Sequence, residues 1–364
     1  MTSSTDSDVS KLLKTIELPG LGRTIGQVGR IVAADKADGR VAVKIVLGFP
    51  AESRFDEYRA HIAKILTAEL GCDDVDIELS TKIVAHGVQK NLKPLDNVSN
   101  ILAIASGKGG VGKSTVAVNL ALALVADGAS VGMLDADIYG PSLPHMMGLD
   151  GQRPESDDGK SMAPLVGHGI QVMSIGFLID PDEPMIWRGP MVTSALNQLL
   201  HQTKWKDLDY LIVDMPPGTG DIQLTLSQQV PVSGAVIVTT PQNIATLDAR
   251  KGLAMFRKVS VPVLGIIENM STHVCSSCGH EEAIFGAGGG EKMAEEFAVE
   301  LLGRLPLEVG IREQTDSGKP TVISDPKSAA AMAFRSAAQR MAASQAIQSK
   351  EYSSKFPTIV VENG

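Results

Sequence analysis

The segment Gly107-Lys-Gly-Gly-Val-Gly-Lys-Ser-Thr115 has the residue types and spacing of a loop that binds phosphate groups. It matches G-x-x-x-x-G-K-[ST], follows an apolar run that predicts a strand, and opens a segment that predicts a helix. Glycines let consecutive backbone amides turn towards phosphate oxygens, and the helix start adds its positive dipole. A plain glycine-rich turn is the alternative, which the motif in this context disfavours. The predicted nucleotide-binding residues of the loop are Gly107, Lys108, Gly109, Gly110, Val111, Gly112, Lys113, Ser114 and Thr115.

Three side chains of this loop have distinct predicted roles. Lys113 can reach the β- and γ-phosphates, and the Ser114 hydroxyl can ligate Mg²⁺. Lys108 is a second lysine near the start of the loop, so the segment resembles the deviant Walker A motif K-G-G-x-G-K-[ST]. That motif belongs to the ATPase class of MinD, ParA and the nitrogenase iron protein, and the resemblance implies that Lys108 reaches the nucleotide of a partner subunit. An ordinary solvent-exposed lysine is the alternative.

Three aspartates follow two other predicted strands, at the carboxyl ends where open α/β sheets bind ligands. Asp137 is predicted to orient or deprotonate the attacking water, as hydrolysis of a nucleoside triphosphate requires. Asp135 lies two residues earlier on the same face and would support the magnesium site. Asp214 ends the second strand and would hold Mg²⁺ through water. The stiff Pro-Pro-Gly turn after it places the Gly218 amide where it can sense the γ-phosphate.

The nucleotide base is predicted to be adenine. The sequence has no Asn/Thr-Lys-x-Asp segment of the kind that GTPases use for guanine. Asn269 follows a predicted strand at the same sheet edge, and its amide can both donate to and accept from an adenine edge. The predicted cofactors at this site are therefore ATP and Mg²⁺, and the predicted catalytic set is Lys108, Lys113, Asp137 and Asp214.

The pair Cys275-Ser-Ser-Cys278 offers two thiolates, whereas tetrahedral zinc and iron–sulphur clusters usually need four ligands. Four interpretations stay open on spacing alone. Two chains related by a two-fold axis could each supply one pair; His273 and His280 could complete a zinc site in one chain; the pair could be a redox dithiol; or both could be ordinary surface cysteines. Cys72 follows a predicted helix, and we expect it to be a small buried hydrophobe.

Composition restricts the class of protein. The chain has 364 residues, 43% of them apolar and 21% charged, with a net charge of −9. Such acidity disfavours nucleic-acid binding, so no nucleic-acid partner is expected. No apolar run approaches the ~18 residues of a membrane span, so no membrane association is expected. With three cysteines and no signal-peptide features at the N-terminus, the sequence predicts a protein of the reducing cytoplasm.

The elements that position these residues divide the chain near residue 95. Residues 1–89 predict a small α/β domain, with strands at 39–47 and 74–80 and a helix at 55–70; a helix at 10–18 and a strand at 25–31 complete it. Residues 90–100 predict a linker. Residues 101–348 predict the ATPase domain, a doubly wound and mostly parallel sheet, since short continuous apolar runs alternate with helical segments. A helix is predicted at 328–349, and residues 349–364 are expected to be a tail.

As a set, these motifs resemble those of the Mrp-type (ApbC-like) iron–sulphur cluster carriers, a branch of the deviant Walker A ATPases. Besides the phosphate loop and the cysteine pair, the resemblance rests on four further segments: Asp135-Ala-Asp-Ile-Tyr-Gly-Pro-Ser142, Trp187-Arg-Gly-Pro190, Asp214-Met-Pro-Pro-Gly-Thr-Gly-Asp221 and Glu268-Asn-Met270. It is also carried by Pro306-Leu-Glu308, Arg312-Glu and Asp316-Ser-Gly-Lys-Pro320.

The resemblance implies a homodimer that holds a [4Fe-4S] cluster between its subunits through Cys275 and Cys278 of each chain. It also implies ATP hydrolysis, transfer of the cluster to apo iron–sulphur proteins, and an upstream assembly scaffold as a further partner. Residues 1–89 resemble the small iron–sulphur assembly domain.

The sequence departs from that pattern in two places. Many members have proline within the cysteine motif, where this chain has Ser276 and Ser277, so weaker pre-organisation is expected. The small domain lacks a cysteine in residues 47–53, so it is expected to dock partners or the ATPase domain and not to bind a cluster.

Two other functions remain as alternatives. A ParA/MinD-like positioning ATPase would use the cysteine pair for another role, and a zinc-stabilised small-molecule kinase would need a deep acceptor pocket.

Overall fold

The computed structural model describes residues 5–355 with the exception of residues 38, 73, 90–91, 180–188 and 276, and side chains from residue 8 to residue 348. Residues 187, 188 and 276 of the motifs above therefore lie outside the described residues. The chain forms two compact units: Met1–Gly87 together with Ala342–Gly364, and Val88–Met341. Each unit has its own sheet.

The first unit is a small three-stranded sheet with helices. Its elements in chain order are α1 (Thr5–Thr15), β1 (Glu17–Leu18), β2 (Arg23–Thr24), α2 (Ile25–Val28), β3 (Gly29–Ala37), β4 (Arg40–Leu47), α3 (Phe55–Leu70) and β5 (Asp74–Thr81). Strand β4 lies in the middle, antiparallel to β3 and parallel to β5. Helix α3 buries Tyr58, Ile62 and Leu66. It ends at Gly71, whose left-handed φ of 60° suits glycine.

The sequence predicted α3, β4 and β5 to within a residue or two, but the first elements differ from prediction. Helix α1 begins five residues earlier than expected, and the strand expected at 25–31 starts as the helical turn α2. There the Thr24 amide donates to Gln27 Oε1 at 2.9 Å, a contact that stabilises the first turn of a helix.

The second unit carries the candidate site. Its elements are β6 (Val98–Ser106), α4 (Lys113–Ala126), β7 (Val131–Asp135), α5 (Leu143–Met146), β8 (Leu165–Gly167), β9 (Ile170–Ser174), α6 (Gly189–Gln202), β10 (Leu208–Asp214), α7 (Asp221–Gln229), β11 (Gly234–Thr239), α8 (Asn243–Lys258), β12 (Val263–Glu268), β13 (His273–Val274), β14 (Glu281–Glu282), α9 (Gly289–Glu296), β15 (Leu301–Arg304), α10 (Val309–Asp316), α11 (Thr321–Ser324) and the first part of α12 (Ala329–Lys355). The residues of α12 from Ala342 onward belong to the first unit.

Eight of these strands form one sheet in the order β15-β12-β11-β6-β10-β7-β9-β8. Neighbouring strands are parallel except at the edge, where β8 runs antiparallel to β9. The predicted doubly wound, mostly parallel sheet is confirmed. Strand β6 lies between β10 and β11, so the chain leaves β6 towards β7 on one side and later returns to β11 on the other. Ligands of such sheets bind beyond the carboxyl ends of the strands at this switch point.

Three details differ from the predicted organisation. Strand β6 begins at Val98, inside the expected linker, because Val98 pairs with Leu208 of β10. Strand β15 was not predicted, since it is four residues long and includes a glycine and an arginine. Helix α12 continues to Lys355, so residues 349–355 of the expected tail are helical. Among the described residues, no helix is long and apolar enough to cross a membrane.

Candidate nucleotide and cysteine sites

The phosphate loop joins β6 to α4, as the motif predicted. Helix α4 begins at Lys113 directly after Gly112, whose φ of 77° is left-handed. A side chain at Gly112 would be blocked as well as strained, because a Cβ there would lie 2.3 Å from Asn269 Nδ2. Gly107 is equally confined, since its Cβ would lie 2.2 Å from the carbonyl carbon of Asp248 in α8. The two glycines let the loop pass close to β12 and α8.

A cavity of about 300 Å³ lies against this loop. Most of its lining comes from the loop itself, from Ser106 to Thr115. Asp137 and Pro217, from the segments after β7 and β10, close it. The structure therefore brings together residues from the carboxyl ends of three strands, at the place where the sequence predicted phosphate binding.

The loop lysine makes a buried ion pair. Lys113 Nζ lies 2.5 Å from Asp214 Oδ1 and 3.2 Å from Ser114 Oγ. Both partners of the pair are buried, and Asp214 Oδ2 is a buried oxygen without a hydrogen-bond partner. A buried carboxylate oxygen needs a donor or a cation. The loop lysine, the Ser114 hydroxyl and the free carboxylate oxygen together fit a site for phosphate and a hydrated Mg²⁺.

Asp135 holds the segment after β7 in place. Its carboxylate accepts hydrogen bonds from the amides of Asp137 at 3.2 Å and Leu143 at 3.1 Å, and from Ser174 Oγ at 3.1 Å. Complete burial, with the nearby charge of Asp214, raises the pKa of Asp135 to about 7. This carboxyl is thus an internal anchor facing away from solvent. Ser174 was not predicted as a partner of Asp135; it lies at the end of β9, the strand next to β7 in the sheet.

The side chain of Asp137 is more accessible to solvent than that of Asp135. Its side chain is half-buried and lines the cavity beside Lys113 and Ser114. Burial raises the pKa of Asp137, and the positive charge of Lys113 opposes that effect. Its place in the cavity agrees with a role near a nucleotide.

The backbone amide of Gly218 already donates a hydrogen bond within the protein. It donates to the carbonyl oxygen of Ser106 at 3.0 Å, with a φ of 101° that suits glycine. For this amide to meet a γ-phosphate, as the sequence predicted, that hydrogen bond must open. The switch-like behaviour expected for the turn therefore requires a movement relative to β6.

Asn269 connects β12 to the phosphate loop. Its side-chain amide donates to the Val111 carbonyl at 2.8 Å, and its backbone amide donates to the Thr239 carbonyl at 2.7 Å. A second cavity, about 290 Å³, lies beside Asn269 and shares Gly112 and Thr115 with the first. Its further lining includes Pro306, Leu307, Arg312 and Phe334. Its size and mostly apolar lining fit a nucleotide base next to the phosphates.

The cysteine pair lies at the tip of a short hairpin between β13 and β14. The Cys275 amide donates to the His280 carbonyl at 2.9 Å, and the Gly279 amide donates to the Cys275 carbonyl at 2.8 Å. This turn presents a half-buried Cys275 and an exposed Cys278. Hydrogen bonds from the backbone of Ser277 and Cys278 lower the pKa of the Cys275 thiol. The hairpin therefore favours a thiolate, the form that binds metals.

The base of the hairpin is hydrogen-bonded to the segment of chain that directly follows β15. His273 Nδ1 lies 3.0 Å from the Leu307 carbonyl, and the Leu307 amide donates to the Thr272 carbonyl at 2.7 Å. His273 thus turns one ring nitrogen towards the protein backbone. In the described part of the chain, no group of three or more His, Cys, Asp or Glu residues could hold a metal ion. A zinc site completed by His273 and His280 within one chain is therefore not supported.

Cys72 belongs to the first unit and takes no part in either site. It is buried, with its thiol 3.5 Å from the Leu66 carbonyl. The prediction of a small buried hydrophobe is confirmed.

Comparison with known families decides the class of this chain. A ParA-type family model described as NUBPL iron-transfer P-loop NTPase matches residues 97–342. The chain belongs to this family. A second model, for an iron-sulfur cluster assembly protein, matches residues 6–79. The resemblance to cluster carriers seen in the motifs is confirmed, and the P-loop NTPase fold is that of the ParA and MinD ATPases.

Relatives of this P-loop NTPase cover most of its length. The iron-sulfur cluster carrier protein of Escherichia coli K12 is 55% identical over 306 residues, which is 84% of this chain and 83% of the relative. The protein of the same name from Haemophilus influenzae is 48% identical over 341 residues, 94% and 92% of the two chains. A solved nucleotide-binding protein from Archaeoglobus fulgidus, in complex with ADP, is 37% identical with a TM-score of 0.55 and covers 62% of this chain and 88% of its own.

Proposed function

We propose that this chain is an ATP-dependent iron–sulphur cluster carrier that holds its cluster between two copies and passes it to apo-proteins. The observation that carries the proposal is the hairpin that presents Cys275 and Cys278 in the same unit as a complete phosphate loop. The names of the relatives from Escherichia coli and Haemophilus influenzae support a carrier role.

The cluster is the cargo of this reaction, and its ligands come from two chains. A [4Fe-4S] cluster is held by four thiolates, and each chain offers one pair on an accessible hairpin. Two chains related by a two-fold axis supply both pairs at one symmetric site. The lowered pKa of the Cys275 thiol favours the ligating form. The homodimer is therefore part of the proposed site.

The cavity at the phosphate loop is the proposed site of ATP and Mg²⁺. Lys113 would contact the β- and γ-phosphates, and Ser114 together with Asp214 would hold Mg²⁺, which would neutralise charge on the phosphates. Asp137 orients the attacking water, while Asp135 keeps the backbone of Asp137 in place. Lys108, half-buried at the edge of the cavity, reaches the nucleotide of the partner copy.

A short stretch of chain connects the two sites. Asn269 contacts the phosphate loop, and Cys275 follows six residues later after a segment anchored at Leu305 and Leu307. A nucleotide can alter the cluster site only if it binds two states of the dimer with different affinity. We assign that difference to movement of the loops that carry Asp137 and Gly218.

The remaining assignments follow from this function. The cytoplasm is its compartment, apo iron–sulphur proteins receive the cluster, and an assembly scaffold supplies it. Residues 1–89 dock those partners, residues 90–100 link the domains, and residues 101–348 act as the ATPase.

The first experiment is anaerobic reconstitution with iron and sulphide. The wild-type chain should bind about four iron atoms per dimer and show a visible absorption band, as one cubane cluster requires. The double variant Cys275→Ala/Cys278→Ala should lose both signals, whereas Cys72→Ala, at the buried cysteine, should retain them. Iron retained by the double variant would contradict the proposal and leave a P-loop ATPase of the ParA/MinD kind. Equal transfer rates without nucleotide, with ADP and with an ATP analogue would contradict the coupling.

A further inference from the structure

The carboxylate of Glu268, at the carboxyl end of β12, holds the start of α9. Its side chain is buried, and Oε2 accepts a hydrogen bond from the Gly290 amide at 2.6 Å. A carboxylate is favourable at this end of a helix, because it meets free amides and the positive end of the helix dipole. Gly288, the residue before α9, has no side chain that could do the same. Glu268 therefore caps α9 from a neighbouring strand.

The start of α9 is packed tightly against two strand ends. A Cβ on Gly290 would lie 2.9 Å from the Cβ of Glu268, and a Cβ on Gly289 would lie 2.4 Å from the carbonyl oxygen of Pro241, which follows β11. Approaches this close require glycine. A displacement of the end of β12 would therefore be passed directly to α9.

Glu268 also forms an ion pair with the adjacent strand. Arg304 Nε of β15 lies 3.8 Å from Glu268 Oε1, which has no hydrogen-bond partner among the described residues. A buried carboxylate is costly unless its neighbours compensate its charge. Arg304 also pairs with Glu291 of α9, at 2.6 Å. Glu268, Gly290 and Arg304 thus form one linked cluster, the Glu268 clamp.

The clamp closes the segment that carries the cysteine pair. The chain leaves β12 at Glu268, passes through the hairpin, and enters α9 at Gly289. Residues 269–288 are thus an excursion whose return is bound to the side chain of Glu268. Its start is bound too, since the Leu305 amide donates to the Glu268 carbonyl and the Ser271 amide donates to the Leu305 carbonyl, both at 2.9 Å. The end of β12 therefore fixes both ends of the cysteine segment.

The residue after Glu268 contacts the phosphate loop. Asn269 Nδ2 donates to the Val111 carbonyl at 2.8 Å. On its other side the loop follows Ser106, whose carbonyl accepts the Gly218 amide at 3.0 Å. A movement of the turn that carries Gly218 therefore has a continuous route of packed and hydrogen-bonded groups through the phosphate loop to the end of β12.

We propose that Glu268 is a positioning residue that transmits the nucleotide state of the phosphate loop to the hairpin of Cys275 and Cys278. The inference rests on the proposed function, which places a nucleotide at one end of this route and thiolate ligands at the other. Glu268 is not among the described residues that line the two nucleotide cavities. Its role is to make the geometry of one site depend on the occupancy of the other.

The test follows the reactivity of Cys278 in the reduced, cluster-free, full-length chain. Its rate of alkylation by iodoacetamide is measured without nucleotide, with ADP, and with a non-hydrolysable ATP analogue and Mg²⁺, each at a concentration that calorimetry shows to be saturating. The wild-type rate should change about fivefold or more between nucleotide states, the lower end of the usual coupling between two sites.

Glu268→Gln should remove this response. An amide has one acceptor and one donor, so it cannot offer an acceptor both to the Gly290 amide and to the Arg304 guanidinium. The three rates of this variant should agree within about twofold, which is below the usual range of coupling. Urea unfolding checks that the variant is folded. A merely structural role would change the alkylation rate by the same factor in every nucleotide state.

Two further variants keep the test decisive. Glu291→Gln removes the other carboxylate partner of Arg304 but leaves the contact between Glu268 and Gly290, so it should respond to nucleotide as the wild type does. Gly290→Ala pushes α9 away from an unchanged Glu268 and should lose the response. A wild-type response in Glu268→Gln, or its loss in Glu291→Gln, would overturn the role of Glu268.

The iron content after anaerobic reconstitution separates this inference from the proposed function. If the wild-type chain binds iron but its thiol reactivity is the same in every nucleotide state, cluster binding stands and the inference fails. If the wild-type chain binds no iron, but its thiol response is present and is lost only in Glu268→Gln and Gly290→Ala, the carrier function fails and the transmitting role of Glu268 stands.

Discussion

The Lys113 ammonium donates a hydrogen bond to Asp214 Oδ1 at 2.5 Å, which forms an ion pair between the start of α4 and the end of β10. Both groups are those that the sequence assigned to the nucleotide, one to its phosphates and one to its Mg²⁺. The two groups satisfy each other, apart from Asp214 Oδ2, which has no hydrogen-bond partner among the described residues. On the proposed function, nucleotide and metal would replace this ion pair with contacts from Lys113 to phosphate and from Asp214 towards the metal.

The first prediction concerns Asp214→Asn. A neutral amide cannot hold the water shell of Mg²⁺, so ATP hydrolysis should fall at least ~100-fold, the usual cost of removing one electrostatic contact to a transition state. Binding of ADP without Mg²⁺ should change little, because Lys113 stays available. Single-turnover hydrolysis and ADP titration measure the two effects. The control is Asp157→Asn at an exposed carboxylate. Hydrolysis at the wild-type rate would exclude Asp214 from the metal site.

The second prediction concerns pH and Asp135. Its pKa is about 7 in the folded chain, above the ordinary 3.8, so between these values the folded chain binds more protons than the unfolded chain. The free energy of unfolding in Mg²⁺-free buffer should therefore decrease as pH rises from about 4 to 7. Asp135→Asn should remove up to about 1.4 kcal/mol per pH unit from that slope.

Urea unfolding followed by fluorescence of the buried Trp205 measures this slope. The variant also changes absolute stability, because its amide cannot accept every hydrogen bond that the carboxylate accepts. Only the difference in slope between wild type and variant is diagnostic. Identical slopes would show that Asp135 is ionised in the folded chain throughout this range.

The third prediction compares two glycines of the phosphate loop. Gly112→Ala forces a Cβ to within 2.3 Å of Asn269 Nδ2 at a left-handed φ, so the loop must shift. At Gly109 a Cβ would meet nothing within 4 Å. Gly112→Ala should weaken ADP binding more than tenfold, and Gly109→Ala much less. Isothermal titration calorimetry compares the two, and equal losses would mean that the contact with Asn269 does not shape the loop.

The fourth prediction concerns the thiols. Hydrogen bonds from Ser277 and Cys278 lower the pKa of Cys275, so its alkylation by iodoacetamide should reach half its maximal rate at a lower pH than a cysteine in an unstructured peptide does. Cys72 is buried and should react only on unfolding. The protein is labelled at a series of pH values from about 6 to about 9, a range that brackets the ordinary thiol pKa. Mass spectrometry of its peptides then measures how far each cysteine has reacted. An unshifted profile for Cys275 would contradict the hairpin geometry.

Much of the sheet could be predicted because a parallel strand buried on both faces is a continuous apolar run. The runs around Leu102, Met133 and Ile212 are such strands. Strand β15 could not be predicted, because its four residues include Gly303 and Arg304 and because, at the edge of the sheet, it pairs with β12 alone among the described strands. The helical turn at Ile25 was also missed, since a capping contact between Thr24 and Gln27 outweighs a short apolar pattern.

What the sequence alone determined are the local sites: a phosphate loop, acidic residues at strand ends and a cysteine turn, whose chemistry depends on residues close together in the chain. Only the tertiary structure decided which of these contact one another. The hydrogen-bond partner of Lys113, Asp214, lies 101 residues away in the sequence, and that of Val111, Asn269, lies 158 residues away. Local spacing specifies backbone geometry, whereas contacts across the sheet depend on strand order, which no short pattern encodes.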